Sequence, residues 1–277
     1  MSDTPQPPQQ WRWPNDRNLS PTVLKNYARC PQRVKMQYLQ KLEAPEAFIP
    51  AYALGNATHS ALGTIAQQLR ADVNPIGEEQ IRNIARFHMP EHEYPSPEYR
   101  EAEIKKVIRC VERGTAWLRT LDVVEWLRIE QYETREMHMF RSKSPYKMIT
   151  RPDLVLKRID EEGQEFIHII DWKTGAVWEE PDVPVIMRFA LRDRLEEWYG
   201  DANSANVLFT WNWLDHDEKK DVDVSMEHIG RTWSSIVDQA VSLASELQWI
   251  ATPGRHCNIC PYYKNHCPEE IPPDDDR

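Results

Sequence analysis

Two runs rich in Ile, Val and Leu occupy the stretch from Arg151 to Gly175, with a polar break between them at 161–164. Short apolar runs bounded by turn-forming residues predict two antiparallel β-strands joined by a tight turn. Successive side chains on a strand point to opposite faces, so Asp171 and Lys173 project to one face and Trp172 to the other. The pattern therefore predicts a β-hairpin whose second strand presents a carboxylate and an amine side by side.

The register of this hairpin brings a second carboxylate to the same place. A turn centred near Glu162 puts Asp153 opposite Asp171, where cross-strand Cβ atoms lie about 5 Å apart. Two such carboxylates raise each other's pKa unless a cation lies between them. A hard divalent ion such as Mg²⁺ or Mn²⁺, which prefers carboxylate oxygens, would be such a cation. Lys173 would then orient or deprotonate the attacking water, or offset charge in the transition state. The alternative is a surface ion pair between Asp153 and Lys173.

Helical periodicity accounts for much of the remaining chain. Ser20 and Pro21 predict the N-cap and first residue of a helix that is kinked at Pro31. Further helices are predicted at 51–70, 78–87, 98–121, 184–198 and 227–249, and strands at 207–213 and 222–226. Helices and strands mixed in this way predict an α/β fold, with a mixed central sheet flanked by helices and a helical N-terminal part.

Two residues inside these helices are chemically notable. Gly55 precedes His59 by one turn, so both lie on one stripe and the glycine leaves space beside the imidazole. This spacing alone is compatible with a structural histidine and with a metal ligand. Cys110 lies among the apolar residues of the helix at 98–121, which predicts an ordinary core cysteine.

Three further cysteines lie close together near the end of the chain: Cys257, Cys260 and Cys267. In a reducing cytosol this spacing indicates a metal rather than disulfides. Cys30 is the natural fourth ligand, because it is followed by Pro, as in cluster-binding ferredoxin runs. The alternative to a [4Fe-4S] cluster is a tetrahedral Zn²⁺, with His256 or His266 as a substitute ligand.

Composition and charge limit the partners and the location. The net charge of −10 argues against nucleic acid, although the tail at 269–277 carries part of it. Any DNA contact then depends on local basic residues, for which Arg29, Arg33 and Lys35 are candidates. No apolar run approaches the roughly 18 residues of a membrane span, and the N-terminus lacks a signal-peptide pattern. We expect a cytoplasmic protein that does not bind membranes.

The domain organisation follows from the same composition. Residues 1–18, rich in Pro and Gln, and the acidic residues 269–277 are predicted to be disordered tails. Residues 19–268 are predicted to form a single domain.

The hairpin motif resembles a known family. Arg151-Pro-Asp153, a hydrophobic strand, a turn and Ile170-Asp171-Trp-Lys173-Thr-Gly175 are similar to the core of PD-(D/E)XK nucleases of the RecB and AddB type. This type includes the CRISPR-associated RecB-like exonucleases. Leu54-Gly55-x-x-x-His59-x-x-Leu62 is similar to the Gly/His helix of these nucleases, and the resemblance extends over about 19–268. It implies a restriction-endonuclease-like core that hydrolyses DNA phosphodiesters with a metal ion.

The resemblance also implies roles for the candidate residues. Asp153, Asp171 and His59 would bind Mg²⁺ or Mn²⁺, and Lys173 would assist the attacking water. The four cysteines would hold a [4Fe-4S] cluster in a Cys-rich C-terminal segment, which favours the cluster over Zn²⁺. The implied activity is that of an exonuclease on single-stranded DNA or DNA ends, in DNA repair, recombination or CRISPR adaptation. A helicase or a CRISPR-adaptation protein is the implied protein partner.

The chain departs from the family pattern in one respect that bears on function. Val185 and Phe189 occupy the positions where these nucleases commonly carry a Gln and a Tyr that position the substrate. A catalytically weak or inactive DNA-binding scaffold subunit of a larger complex is therefore the alternative function. A generic metal phosphohydrolase is a third.

Overall fold

The computed structural model describes residues 11–14, 18–44, 50–72, 76–91, 94–138 and 145–267. The chain divides into two compact units, of which the first takes residues 1–46, 136–149 and 232–277 and the second takes residues 47–135 and 150–231. The single domain over 19–268 stays a prediction beside this division. The tails expected to be disordered lie outside the described residues, apart from 11–14 and Asn18.

Helices and strands alternate along the described chain. The helices are α1 (Pro21–Arg29), α2 (Pro31–Val34), α3 (Pro50–Arg70), α4 (Glu78–Phe87), α5 (Pro97–Leu118), α6 (Asp182–Ala190), α7 (Arg192–Tyr199) and α8 (Met226–Ser245). The strands are β1 (Asn18–Leu19), β2 (Val123–Ile129), β3 (Glu133–Met137), β4 (Tyr146–Thr150), β5 (Leu154–Ile159), β6 (Glu165–Lys173), β7 (Val207–Trp213) and β8 (Glu218–Asp223). Within the described residues, no helix is both long enough and apolar enough to cross a membrane.

A five-stranded mixed sheet forms the centre of the second unit. Its order is β2-β5-β6-β7-β8, with β6 and β7 parallel and the other neighbours antiparallel. The apolar faces of α3 and α5 pack on it through a buried cluster that includes Leu62, Val111 and Trp172. The α/β fold with a mixed sheet and flanking helices that the sequence predicts is confirmed.

The central hairpin has the register expected from its sequence. Leu154 pairs with Ile170 in the antiparallel β5–β6 ladder, and one further step along the chain places Asp153 opposite Asp171. Asp160 closes the turn, since its Oδ1 accepts hydrogen bonds from the backbone of Glu162 and Gln164. Local turn chemistry therefore sets the register that brings the two aspartates together.

The first unit contains α1, α2 and the C-terminal segment. Ser20 caps α1, because its Oγ accepts a hydrogen bond of 3.3 Å from the N–H of Val23. Cys30 is extended between α1 and α2, which begins at Pro31, so the kink expected there is a full break. A π-helical turn follows at Lys35–Leu39, and a 3₁₀ turn lies at Arg255–Ile259.

Strands β1, β3 and β4 form a second sheet that the sequence analysis did not predict, and the five-stranded sheet differs from the prediction at both edges. Edge strand β2 was not predicted, because register shifts against β5 interrupt its alternation. Edge strand β8 begins at Glu218 and overlaps the predicted 222–226 only at its last two residues, and its mostly exposed, charged residues are paired with β7. The helix predicted at 184–198 is two helices, α6 and α7, with Leu191 between them.

Candidate active site and cysteine site

His59 and Asp153 form the centre of the candidate active site. His59 comes from α3, Asp153 precedes β5, and His59 Nδ1 lies 2.8 Å from Asp153 Oδ1. The other oxygen, Oδ2, accepts a hydrogen bond of 2.6 Å from the backbone N–H of Trp172 on β6. A helix and a neighbouring strand therefore hold both oxygens of this buried carboxylate.

The charges of this pair support each other. Burial alone would raise the pKa of Asp153, but His59, the Trp172 N–H and Lys173 hold that pKa below its ordinary value. Burial alone would lower the pKa of His59, but the neighbouring carboxylates, chiefly Asp153, raise it to about 9. Without a metal ion, the pair is accordingly an imidazolium beside a carboxylate at neutral pH, and His59 has to release its proton before its imidazole can bind a metal.

Glu130 is a further acidic residue of the site, which the sequence analysis did not identify. It directly follows β2, and its backbone N–H donates a hydrogen bond of 2.9 Å to the Asp153 carbonyl. One ligand atom each from His59, Glu130 and Asp153 lies within 4.8 Å of the others. Burial and the neighbouring Asp153 raise the pKa of Glu130 to about 7, and its Oε1 is buried without a hydrogen-bond partner.

Asp171 and Lys173 lie beside this group on β6. Lys173 Nζ is 2.7 Å from Asp171 Oδ2 and 4.9 Å from the centre of the Trp211 ring. Burial raises the pKa of Asp171 despite the facing ammonium, and Asp153 adds to the rise. Burial alone would lower the pKa of Lys173, but Asp171 raises it above its ordinary value. The lysine is thus a protonated ammonium in this arrangement.

All of these groups line one open cavity of about 1020 Å³. The charged residues in its wall are His59, Glu130, Arg151, Asp153, Asp171 and Lys173. Gly55 of α3 lies in the same wall, where an added Cβ would come 3.4 Å from Thr174 Oγ1. The structure therefore places the four residues proposed from the sequence for catalysis in one cavity wall. Glu130 is a further acidic residue and Arg151 a further basic residue of this wall.

A family model described as the PD-(D/E)XK nuclease superfamily matches residues 18–268. The chain belongs to this superfamily. Membership implies a metal-dependent nuclease, so the superfamily resemblance read from the hairpin motif is confirmed. The finer assignment to the RecB and AddB type stays a prediction.

Other comparisons add little to this assignment. No curated protein matches the chain. A solved structure described as the crystal structure of SSO0001 is similar at 15% sequence identity, with a TM-score of 0.41, and the alignment covers 95% of this chain and 90% of that chain.

Val185 and Phe189, the positions predicted from the sequence to differ from the RecB-type pattern, both lie on α6. Val185 is buried, with 5% of its surface exposed. The guanidinium of Arg135 lies 5.1 Å from the centre of the Phe189 ring. Neither residue lines the cavity described above.

The cysteine site lies in the first unit. Cys30, Cys257, Cys260 and Cys267 form no disulfide bonds and line one small cavity. Cys30 comes from the break between α1 and α2, whereas Cys257 lies on the 3₁₀ turn. The structure thus brings together the four cysteines proposed from the sequence.

Two nitrogen donors accompany these thiols. Arg33 and His256 line the same cavity, and Arg33 Nε and His256 Nε2 are buried without hydrogen-bond partners. Of the three residues proposed for DNA contact, Arg33 is therefore placed beside the cysteines. Arg29 and Lys35 flank it, as the last residue of α1 and the first residue of the π-helical turn. Cys110, by contrast, is buried in the core of the second unit, where burial raises the pKa of its thiol to about 11.

Proposed function

We propose that the protein is a metal-dependent DNA nuclease that hydrolyses phosphodiesters in single-stranded DNA or at DNA ends. The observation that carries this proposal is the convergence of His59, Glu130 and Asp153 within 4.8 Å, in the cavity that Asp171 and Lys173 also line. Superfamily membership supports hydrolysis of nucleic acid, and the preference for single strands or ends rests on the RecB-type resemblance.

The donor set fits a hard divalent cation. Such cations take carboxylate oxygens, and Mg²⁺ uses few protein ligands so that water and phosphate oxygens complete the shell. Asp153, Asp171, Glu130 and His59 are the residues that would hold Mg²⁺ or Mn²⁺. The orphaned, buried Oε1 of Glu130 is a ready ligand atom, since a buried acceptor without a partner is costly. The bound cation would activate water and offset negative charge on the phosphate.

Lys173 is suited to stabilising charge rather than to removing a proton. Without a metal ion, Asp171 raises the pKa of Lys173, so the ammonium is protonated near neutral pH and has no free lone pair to act as a base. The ammonium lies against the Trp211 ring and Asp171 in the wall of the open cavity, with 33% of the side chain exposed. A preorganised positive charge there is worth more than in bulk water when charge develops on the phosphate oxygens.

A cleavage assay tests this function. Wild-type protein with Mg²⁺ or Mn²⁺ should degrade linear single-stranded DNA and DNA with frayed ends. Asp171→Asn and Lys173→Ala should each lower the rate by roughly 10²- to 10³-fold, with circular dichroism and melting temperature close to those of the wild type. Val177→Ala is a matched control, because Val177 is an exposed residue that lies just beyond the cavity-lining Gly175.

The scaffold alternative makes the opposite prediction. The buried Val185 and the stacked Phe189 stand where RecB-type nucleases carry substrate-positioning side chains, which favours weak or absent catalysis. A wild-type protein that binds DNA but cleaves no DNA form at any metal concentration would support a scaffold subunit and contradict the nuclease.

For the cysteine site, we propose a structural [4Fe-4S] cluster bound by Cys30, Cys257, Cys260 and Cys267. Soft thiolates select iron-sulfur clusters or zinc over hard cations. Among the described residues, the active-site trio is the one set of three potential ligands within 4.8 Å of one another. No three of these cysteine sulfurs, which all belong to described residues, therefore lie within 4.8 Å of one another, whereas the thiolates of a tetrahedral zinc site lie roughly 3.8 Å apart.

The buried donors beside the cysteines also fit a cluster. Arg33 Nε and His256 Nε2 have no hydrogen-bond partner in the protein, and the sulfurs of a cluster are hydrogen-bond acceptors that tune its potential. Dialysis against EDTA should stop DNA cleavage but leave the brown colour and the iron. A colourless protein that contains zinc and no iron would establish the zinc alternative.

The biological setting is proposed from the resemblance alone. It comprises exonuclease action in the cytoplasm, in DNA repair, recombination or CRISPR adaptation, together with a helicase or an adaptation protein as partner. Copurification of such a partner from cells that express the tagged protein would support it.

A further inference from the structure

Two exposed aromatic rings take no part in the proposed chemistry: Tyr52 in the wall of the active-site cavity, and Tyr132 beside Arg151 of that wall. Tyr52 lines the cavity and is 64% exposed, and Tyr132 is 68% exposed. Single exposed apolar residues are common and need no explanation, so exposure alone carries no conclusion. The positions of these two rings relative to the candidate metal ligands are what make them notable.

Tyr52 belongs to the same helical stripe as the histidine of the site. It precedes His59 by two turns of α3, so both side chains leave one face of the helix. At 1.5 Å per residue, the ring lies about 10 Å from His59 along the helix axis. A stacked nucleic-acid strand rises about 3.4 Å per nucleotide. The ring is therefore about three nucleotides from a phosphate bound at His59.

Tyr132 is tied to the site through an arginine. The Arg151 guanidinium lies 5.4 Å from the centre of the Tyr132 ring, and Arg151 Nε lies 3.3 Å from Glu130 Oε2. Glu130 and Tyr132 belong to the one short loop between β2 and β3. One face of the Tyr132 ring thus contacts the Arg151 guanidinium. Arg151 is in turn held by its ion pair with Glu130, a candidate metal ligand.

We propose that Tyr52 and Tyr132 are base-stacking residues that select unpaired bases of single-stranded DNA for the active site. The inference deepens the proposed nuclease function and rests on it. An exposed aromatic ring stacks on any base, because every base has a π face. In duplex DNA the π faces of the bases are covered by neighbouring base pairs. Stacking on the two tyrosine rings therefore favours single-stranded DNA over duplex DNA.

The charge of the protein makes stacking the more important source of affinity. Non-specific DNA binding usually depends on phosphate contacts by Lys and Arg, and this chain has a net charge of −10. Arg151 and Lys173 are the Lys and Arg residues in the cavity wall, where Glu130, Asp153 and Asp171 oppose them. Stacking does not depend on net charge. We therefore expect binding of single strands to fall only weakly as salt is raised.

A binding assay in a cleavage-deficient background tests the proposal. Asp171→Asn protein with Mg²⁺ is titrated into fluorescein-labelled oligothymidine of about 20 nucleotides, and binding is followed by fluorescence anisotropy. Adding Tyr52→Ala or Tyr132→Ala should weaken binding roughly 5- to 150-fold, the range for loss of one base-aromatic stack. Tyr52→Phe and Tyr132→Phe keep the ring and should bind like the parent.

Two controls separate stacking from general damage. An oligonucleotide of the same length made of abasic residues keeps the phosphates but has no bases, so the alanine variants should bind it as the parent does. Phe87→Ala removes another exposed ring of the same unit, 83% exposed and outside this cavity, and should leave binding of oligothymidine unchanged. Equal losses on the abasic and base-bearing strands, or unchanged binding by both alanine variants, would overturn the proposal.

The outcome for this inference is distinguishable from that for the nuclease function. If wild-type protein cleaves DNA while the alanine variants bind single strands normally, the inference fails and the nuclease stands. If the tyrosine dependence is found but wild-type protein never cleaves, the nuclease fails and the single-strand binding surface stands.

Discussion

The carboxylate site and the cysteine site differ in what holds their side chains in place. In the carboxylate site, Asp153 is bound at both oxygens, by His59 and by the backbone of β6. Trp172, which supplies that backbone, is 1% exposed in the core of the second unit. The protein itself fixes this geometry, so a metal ion there would bind to an arrangement that is already formed.

The cysteine site has much less regular structure around it. Cys257 and Cys260 are held by 3₁₀-type backbone hydrogen bonds, and Cys267 by a bond to the Tyr262 carbonyl and an isolated bridge to Tyr263. Such turns bury little apolar surface and have little stability of their own. A metal centre at these cysteines would therefore support the local fold, whereas the carboxylate metal would be a catalytic component. Perturbing one site should change stability, and perturbing the other should change the rate.

The largest effect expected from this difference is on stability. Cys30→Ser should remove the proposed cluster and with it the closure of the loop between Cys30 and Cys257. By analogy with disulfides, such a closure contributes about 5 kcal/mol, which is an upper figure because metal-thiolate bonds are labile. Since domains have about 5 to 15 kcal/mol in total, the variant should be colourless, sensitive to proteases near both ends and prone to aggregate.

Cys110→Ser is the matched control for that experiment. It makes the same chemical change at a buried core cysteine that lies outside the cysteine cavity, and it should keep both colour and iron. Iron and sulfide analysis of the two variants decides the outcome. Iron retained in Cys30→Ser but lost in Cys110→Ser would show that Cys30 is the wrong fourth ligand.

The second effect concerns the sheet that supports the carboxylate site. His168 lies on β6, is 1% exposed and has its Nε2 2.6 Å from Thr210 Oγ1. Burial lowers the pKa of His168 to about 3, and the facing Arg158 adds to the decrease. The unfolded chain takes up this proton near pH 6.5 and the folded protein only near pH 3. The contribution of the neutral His168 to stability is therefore fully present above pH 6.5 and is lost as the pH falls toward 3.

Replacing this histidine should flatten the pH dependence of stability. For His168→Gln, the free energy of unfolding should fall less steeply between pH 6.5 and 4 than in the wild type, by up to about 1.4 kcal/mol per pH unit. Urea unfolding at a series of pH values measures this slope. His216→Gln, at an exposed histidine of the same unit, should leave the slope unchanged. Parallel curves for His168→Gln and wild type would contradict the prediction.

The parts of this molecule that the sequence predicted are those where local chemistry decides. The Ser20 cap and the turn at Asp160 depend on residues within a few positions of each other, and both are visible in sequence. The side-chain period of two and the turn position then fix Asp153 opposite Asp171 without knowledge of the rest of the fold. The helical periodicity of α3 likewise predicts the position of His59.

The parts that were missed depend on contacts that are distant in sequence. Glu130 reaches the site because β2 pairs with β5, and the register shifts in that pairing remove the alternation that would have revealed the strand. Strand β8 is set by its pairing with β7, although its own residues are mostly exposed and charged. Glu130 also has a positive φ. A sequence does not reveal this conformation at a position occupied by Glu rather than Gly.

The smallest expected effect is on the cleavage rate, and it tests whether the position of Glu130 matters for the metal site. An added Cβ at Gly63 would lie 3.1 Å from Glu130 Cγ, whereas one at Gly55 would lie 3.4 Å from Thr174 Oγ1, an ordinary contact. Alanine in a helix interior is favoured over glycine by about 1 kcal/mol, so neither Gly63→Ala nor Gly55→Ala should lower the melting temperature much. Only Gly63→Ala displaces Glu130, by a few tenths of an ångström.

Because small misplacements of catalytic groups reduce rates, Gly63→Ala should slow cleavage of single-stranded DNA several-fold, while Gly55→Ala cleaves at close to the wild-type rate. Raising the Mg²⁺ concentration should restore part of the Gly63→Ala rate, since a displaced ligand weakens metal binding before it prevents it. Equal rates in the two variants at limiting Mg²⁺ would mean that Glu130 does not contribute to the metal site. Its closeness to His59 and Asp153 would then reflect only the packing of the loop after β2.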